Sequence, residues 1–124
     1  MARILIIDDD ESVRDVLEYI LTESGHEVEQ ADDGTTGLDR FHDKRYDLII
    51  TDILMPEKEG IEMIREIRQL DPDIRIIAIS GGGSLHAEEY LNFAVKFGAS
   101  ATLTKPIDRA LLLQKIDEIL TGMS

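Results

Sequence analysis

The sequence contains no cysteine, and its basic residues are outnumbered two to one, with 13 Lys and Arg against 26 Asp and Glu. Without cysteine the chain can form neither disulfides nor thiol-based sites, and a reducing cytoplasm is compatible with it. The net charge of −13 disfavours binding to nucleic acid or to anionic lipid. This charge suits a soluble partner with basic groups, or a site that holds a cation.

Long apolar runs are also missing. No stretch approaches the ~18 residues of a membrane span, and the start MARILIIDDD lacks the small-residue cleavage site of a signal peptide. We therefore expect a cytoplasmic protein without membrane association. The 124 residues, 43% of them hydrophobic, suffice for one packed core. We expect residues 1–124 to form a single domain with nothing of domain size appended.

What the sequence does contain is a regular alternation of short apolar runs and segments of helical period. The predicted strands cover residues 3–8, 27–31, 46–51, 75–79 and 101–104. The predicted helices cover residues 13–21, 36–44, 61–70, 85–97 and, beyond a cap at Asp108, the segment with apolar positions 112–119. Five strands alternating with five helices indicate an α/β fold, doubly wound around a parallel sheet.

Polar side chains stand where the predicted strands end. Asp8 and Asp9 follow the first strand, Asp52 the third, Ser80 the fourth and Lys105 the fifth. In an open α/β sheet the carboxyl ends of the strands form the ligand crevice. These side chains are distant in sequence, but we expect them to meet at one edge of the sheet.

The acids at this edge predict a metal site. Adjacent carboxylates repel one another, and burial raises the pKa of each unless a cation compensates. Carboxylates without thiols or clustered histidines suit Mg²⁺, with Mn²⁺ as an alternative. Cations around a carboxylate can neutralise phosphoryl oxygens while the carboxylate attacks phosphorus. Asp10 and Glu11 are instead expected to be solvated acids in the first turn of the next helix.

Four segments, taken together and in this order, resemble the response-regulator receiver domains of two-component signalling. They are ILIIDDDE, YDLIITDILMPEKEG, IIAIS and LTKPI. The resemblance covers residues 3 to about 120, and within the family the chain is similar to the chemotaxis-type single-domain receivers. It implies a flavodoxin-like receiver fold with strand order 2-1-3-4-5 and five helices, and no output domain.

The resemblance also implies residue roles. Asp52 matches the phospho-acceptor, and Asp9 and Asp52 match carboxylate ligands of Mg²⁺. Leu54 would add its main-chain carbonyl, and Asp8 would act mainly through bound water. Ser80 and Lys105 match the catalytic residues that contact the phosphoryl group. The bond between Lys105 and Pro106 matches the cis peptide of the family.

Two features depart from the family. Thr102 occupies a position where many members carry an aromatic switch residue. The stretch from Ser80 to Lys105 is slightly longer than usual and contains Gly81, Gly82 and Gly83. Because glycines change conformation at low steric cost, we hypothesise that phosphorylation orders residues 81–86. The switch would then act through this loop. Arg109, Leu112 and Leu113 would bind a partner or a second copy of the chain.

The predicted function is that of a phosphorylation switch. The resemblance implies that the chain accepts phosphate from a histidine kinase or a phosphotransfer protein and signals through changed protein contacts. It would catalyse only its own phosphorylation and dephosphorylation and turn over no separate substrate. It would be a monomer or a phosphorylation-dependent homodimer. The downstream target cannot be read from the sequence.

Two other functions compete with this one. DDDES loosely fits the opening motif of haloacid-dehalogenase-type phosphatases, with Asp8 as nucleophile and Asp10 as general acid. Against this alternative, the chain lacks a cap domain and the second acidic pair that those enzymes would place after Lys105, and TDILMP stays unexplained. A binding module that is never phosphorylated is the other alternative. The complete set of acids, Ser80 and Lys105 argues against it.

Overall fold

The computed structural model describes residues 2–53, 60–81, 92, 95, 96 and 98–122. The strands are β1 (Arg3–Ile7), β2 (Glu27–Ala31), β3 (Leu48–Asp52), β4 (Arg75–Gly81) and β5 (Ala101–Lys105). The helices are α1 (Glu11–Glu23), α2 (Gly34–Asp43), α3 (Gly60–Leu70) and α4 (Arg109–Thr121). Most of the helix predicted at 85–97 lies outside the described residues.

The five strands form one parallel sheet in the order β2-β1-β3-β4-β5. This confirms the predicted α/β fold and strand order. The order reverses at β1, because β2 pairs with one edge of β1 and β3 with the other. In doubly wound sheets ligands bind beside such a reversal, outside the carboxyl ends of the strands.

The core is divided between the two faces of the sheet, because successive strand side chains point to opposite faces. One face packs against α2 and α3, with Leu5, Ile7 and Ile49 from the strands and Ile64 and Ile67 from α3. The other packs against α1 and α4; its buried residues include Ile4, Ile6, Ile50, Leu17, Leu21, Leu112 and Ile116. The central strands are therefore apolar on both faces, as buried parallel strands require.

Helix starts follow local capping chemistry. Asp108 precedes α4 and its Oδ1 accepts from the backbone N–H of Leu111 at 3.0 Å, which confirms the predicted cap. Asp10 does the same for α1, accepting from Ser12 and Val13. Asp10 is thus the N-cap rather than a residue of the first turn. A side-chain oxygen at this position satisfies amides that have no partner inside the helix.

Three expectations about apolar residues are corrected by the structure. The helical period predicts apolar stripes that include Val16 in the helix at 13–21 and Leu70 in the helix at 61–70. These two residues are instead 51% and 53% exposed, because the packed face of each helix is narrower than the stripe. Leu112, expected to bind a partner, is completely buried against the sheet. It shares its helix face with Ile116 and Ile119, so it belongs to the core.

None of the helices in the described part of the chain combines the length and the apolar character that crossing a bilayer requires.

Candidate functional site

The carboxyl edge of the sheet brings together the five polar side chains that the sequence placed there. Asp8 directly follows β1, whereas Asp52, Ser80 and Lys105 lie within the ends of their strands rather than after them. The sheet ladder explains the difference, since Asp52 is in register with Ile79 and Ser80 with Thr104. We call Asp8, Asp9 and Asp52 the acid cluster.

Lys105 is the cation of this edge. Its Nζ lies 3.0 Å from Asp8 Oδ2 and 3.0 Å from Asp52 Oδ2, and its side chain is only 20% exposed. The peptide bond from Lys105 to Pro106 is cis, as the resemblance implied. One ammonium thus contacts two buried carboxylates that come from different strands of the sheet.

The acid cluster has the donors and the spacing of a metal site. Asp8, Asp9 and Asp52 each offer one carboxylate oxygen, and these oxygens lie within 4.8 Å of one another. Asp8 and Asp52 are buried, while Asp9 is exposed. Such a set of hard oxygen donors fits a divalent cation of the Mg²⁺ type. Leu54, predicted to add a carbonyl ligand, lies outside the described residues.

Charge and burial oppose each other within the cluster. Burial raises the pKa of the Asp8 carboxyl, and the nearby Asp52 charge adds to this, although the Asp10 N–H and Lys105 act in the opposite direction. Burial also disfavours the charged form of Lys105, but the carboxylates of Asp8 and Asp52 outweigh it and raise the pKa of the ammonium. At Asp8 burial thus outweighs the nearby charge of Lys105, while the lysine itself is held protonated.

Ser80 provides a buried hydroxyl at the same edge. Its Oγ is inaccessible to solvent and has no hydrogen-bond partner among the described residues. A buried polar group without a partner is costly in an ordinary core. A hydroxyl beside carboxylates and an ammonium can donate to an anion that binds there, so Ser80 suits the role predicted for it.

The residues predicted to switch are only partly described. Thr102 is half-buried on β5, in register with Ala78 of β4. Gly81, expected in the flexible loop, is instead the last residue of β4 and pairs with Lys105. Gly82 and Gly83 lie outside the described residues, as does most of the segment 81–86. Arg109 and Leu111 are exposed and Leu113 is half-buried.

Sequence reasoning missed two contacts near the site. The Thr51 hydroxyl donates to the main-chain carbonyl of Asp52 at 3.0 Å. The Arg14 guanidinium reaches back from α1 and donates to the main-chain carbonyl of Asp8 at 2.7 Å. In both contacts a side chain donates to a backbone carbonyl, and the spacing of residue types along the sequence does not indicate such contacts.

Comparisons with known proteins identify a family for this chain. The model of the response regulator receiver domain family matches residues 4–117. Chemotaxis protein CheY of Halobacterium salinarum is 33% identical over 120 residues, which are 97% of this chain and 98% of that protein. The DNA-binding transcriptional regulator NtrC of Azospirillum brasilense is 38% identical over 124 residues, and the match covers 98% of this chain but only 24% of that protein.

A solved structure has the same fold. The CheY-like receiver domain protein of Methanospirillum hungatei superimposes with a TM-score of 0.90 at 35% identity, covering 99% of this chain and 96% of that one. Similar sequences thus occur both as nearly the whole of a protein and as about a quarter of one.

Proposed function

Because the chain belongs to the response regulator receiver domain family of two-component signalling, we propose that it is a cytoplasmic phosphorylation switch whose acceptor is Asp52. The observation that carries this proposal is the setting of the Asp52 carboxylate. It lies at the carboxyl edge of the sheet, 3.0 Å from Lys105 Nζ and within metal-sharing distance of Asp8 and Asp9.

The phosphoryl donor is a histidine kinase or a histidine phosphotransfer protein. An oxygen of the Asp52 carboxylate attacks phosphorus, the bond between phosphorus and the donor's imidazole nitrogen breaks, and the imidazole leaves. The product is an acyl phosphate on Asp52. Small acyl phosphates can replace the protein donor in the same displacement, with a carboxylate as leaving group. Attack by water later returns Asp52 and inorganic phosphate, so no separate substrate is turned over.

The other side chains at this edge act on charge and orientation. The acid cluster would hold Mg²⁺, and the ion would supply positive charge that neutralises phosphoryl oxygens. Lys105, already protonated and aimed at Asp52, pairs with the phosphoryl group, and the Ser80 hydroxyl donates a hydrogen bond to it. The output is a change in protein contacts, with a downstream protein or a second copy of the chain as the partner.

The test is phosphorylation in vitro. The protein is incubated with Mg²⁺ and acetyl phosphate, and intact mass followed by peptide mapping locates the modification. We expect one phosphoryl group, on Asp52, that is lost in Asp52→Ala and absent when Mg²⁺ is chelated. Asp10→Asn is the matched control, because it keeps the cap oxygen but removes a neighbouring charge. It should leave uptake nearly intact.

The same experiment separates the alternatives. An acyl phosphate on Asp8, or loss of uptake in Asp10→Asn, would favour the phosphatase mechanism. A wild-type protein that takes up no phosphate from acetyl phosphate or from a kinase would leave the unphosphorylated binding module as the better interpretation.

A further inference from the structure

Arg14 connects α1 to the chain segment that carries two members of the acid cluster. Its Nη1 donates to the main-chain carbonyl of Asp8 at 2.7 Å, and its Nε donates to Gln30 Oε1 at 2.9 Å. The side chain is half-buried. The guanidinium therefore spans two elements, with one donor on the backbone that follows β1 and another on a side chain of β2.

The contact on β2 fixes the direction of the guanidinium. Gln30 accepts from Arg14 through its carbonyl oxygen, while its amide nitrogen lies 3.4 Å from Asp15 Oδ1 on α1. The planar guanidinium presents donors in a rigid fork. With one arm held by Gln30, the other arm can meet the Asp8 carbonyl in only a narrow range of directions.

The carbonyl that Arg14 holds belongs to the peptide unit between Asp8 and Asp9. Peptide units are planar and rigid, so fixing this carbonyl fixes the plane from which both acids extend. The neighbouring backbone is held as well, since the Asp8 N–H donates to the Ala31 carbonyl at 3.2 Å and the Asp10 N–H to Asp8 Oδ1 at 2.8 Å. Among these contacts, Arg14 is the one that comes from the body of a helix.

We propose that Arg14 is a positioning residue for the divalent-cation site. It holds the peptide plane between Asp8 and Asp9 so that both carboxylates face the cation. The proposal depends on the proposed function, because it assigns to Arg14 the geometry of that function's metal site. Groups that orient metal ligands without touching the metal typically change metal affinity by about 10-fold or more when mutated.

The charge of Arg14 makes the proposal sharply testable. A guanidinium repels a metal cation, so if charge alone mattered, neutralising Arg14 would tighten Mg²⁺ binding. A positioning role predicts the opposite direction. A merely structural role predicts a lower melting temperature with unchanged Mg²⁺ affinity. The sign of the change in affinity therefore distinguishes all three explanations.

The experiment is calorimetric titration of the full chain with Mg²⁺. Arg14→Gln should bind Mg²⁺ about 10-fold more weakly than the wild type, and Arg14→Lys, which keeps the charge but cannot hold both partners, should fall between them. Gln30→Ala leaves Arg14 present but unbraced and should also weaken binding. Arg75→Gln is the matched control, since Arg75 is exposed at the start of β4, at the opposite end of the sheet. It should not weaken binding.

Phosphorylation by acetyl phosphate adds a second measurement. Arg14→Gln should be slow at limiting Mg²⁺ and approach the wild-type rate at saturating Mg²⁺. Unchanged or tighter Mg²⁺ binding in Arg14→Gln, beside a wild type that binds Mg²⁺ and takes up phosphate, overturns the positioning role alone. If Arg14→Gln does not fold, unchanged affinity in Gln30→Ala and Arg14→Lys overturns it. A wild type that neither binds Mg²⁺ nor is phosphorylated overturns the proposed function and the positioning role together.

Discussion

Two lysines of this chain contact carboxylates at nearly equal distances in very different surroundings. Lys44 Nζ lies 2.9 Å from Glu29 Oε2, and Lys105 Nζ lies 3.0 Å from both Asp8 and Asp52. The Lys44 side chain is 53% exposed, whereas the Lys105 side chain is 20% exposed and Asp8 is fully buried. Contact length alone therefore does not distinguish the two groups.

The balance of charge does distinguish them. Around Glu29, one carboxylate meets the cations of Lys44 and Arg40 and the Tyr46 hydroxyl, which donates to it at 3.0 Å. The Lys44 hydrogen bond lowers the pKa of Glu29 despite partial burial. We call these four residues the Glu29 cluster. Its single carboxylate contacts two cations and a hydroxyl, and these contacts stabilise the ionised form.

The acid cluster has the reverse composition. Among the described residues, Lys105 contacts two of its three carboxylates, those of Asp8 and Asp52, and the pKa of Asp8 is raised rather than lowered. We expect the repulsion among these carboxylates to favour the binding of a cation. The comparison therefore predicts that the Glu29 cluster stabilises the fold and that the acid cluster destabilises it when no cation is bound.

Removing each lysine should give the largest contrast. Lys105→Met leaves two buried carboxylates without their ammonium, which we expect to lower the free energy of unfolding by about 3 kcal/mol. Lys44→Met breaks a half-exposed pair and should cost less than about 1 kcal/mol. Urea denaturation at neutral pH in the presence of a chelator measures both values. Equal losses in the two variants would contradict the comparison.

Adding Mg²⁺ should affect only one of the two clusters. A cation that binds only the native state stabilises it by about 2.7 kcal/mol at a concentration 100 times its dissociation constant. We expect wild type and Glu29→Gln to gain this amount. Asp52→Asn, which lacks a ligand, should gain much less. Thermal melts with and without Mg²⁺ test this, and an equal gain in Asp52→Asn would argue against the acid cluster as the binding site.

Alkaline pH should weaken the Glu29 cluster through the ionisation of Tyr46. Burial and the Glu29 carboxylate raise the pKa of Tyr46 from 10.0 to about 12. A raised pKa means that the stabilisation is complete below pH 10 and is lost as the pH rises through about 12; its full size is on the order of 2 kcal/mol. Tyr46→Phe should lack this loss.

Urea denaturation of wild type and Tyr46→Phe between pH 8 and pH 12 measures the difference. Both proteins share the titration of their lysines, so this effect cancels when they are compared. Tyr19→Phe is the control, because Tyr19 is 62% exposed on α1. If the stability difference between wild type and Tyr46→Phe does not change across this range, the Tyr46 hydroxyl does not make the hydrogen bond to Glu29 that the structure shows.

Much of the fold follows from local patterns in the sequence. Alternating apolar runs predicted the parallel sheet, and Asp108 predicted the start of α4, because period and capping chemistry act over a few residues. The meeting of Asp8, Asp52, Ser80 and Lys105 followed from topology, since parallel strands end at one edge. The chemical roles of these residues stay predictions, but their proximity could be predicted without the structure.

Side-chain contacts between different helices, strands and loops could not be predicted from the sequence. Arg14 reaching the Asp8 carbonyl depends on a rotamer and on the distance between α1 and β2. The Glu29 cluster likewise joins a strand, a helix and a loop. The burial of Leu112 was predictable in principle, because positions 112, 116 and 119 share one helix face. Three consecutive leucines at 111–113 made it less clear which of them lies on that face.

Neutralising one carboxylate in each cluster should change stability in opposite directions, although by smaller amounts. In metal-free buffer, Asp52→Asn removes one of three mutually repelling charges, while the ion pair between Lys105 and Asp8 is retained. We expect a gain on the order of 1 kcal/mol in the free energy of unfolding. Glu29→Gln weakens the contacts with Lys44, Arg40 and Tyr46 and should cost about 1 kcal/mol.

The controls for these two variants have smaller expected effects. Asp9→Asn, at the exposed member of the acid cluster, should stabilise less than Asp52→Asn because solvent already screens its charge. Glu23→Gln, at an exposed site at the end of α1, should change stability by less than about 0.5 kcal/mol. Urea denaturation in a chelator gives all four values. If Asp52→Asn lowers stability as Glu29→Gln does, then Asp52 is held mainly by attraction to Lys105. Repulsion among the carboxylates would then give no reason to expect a cation at the acid cluster.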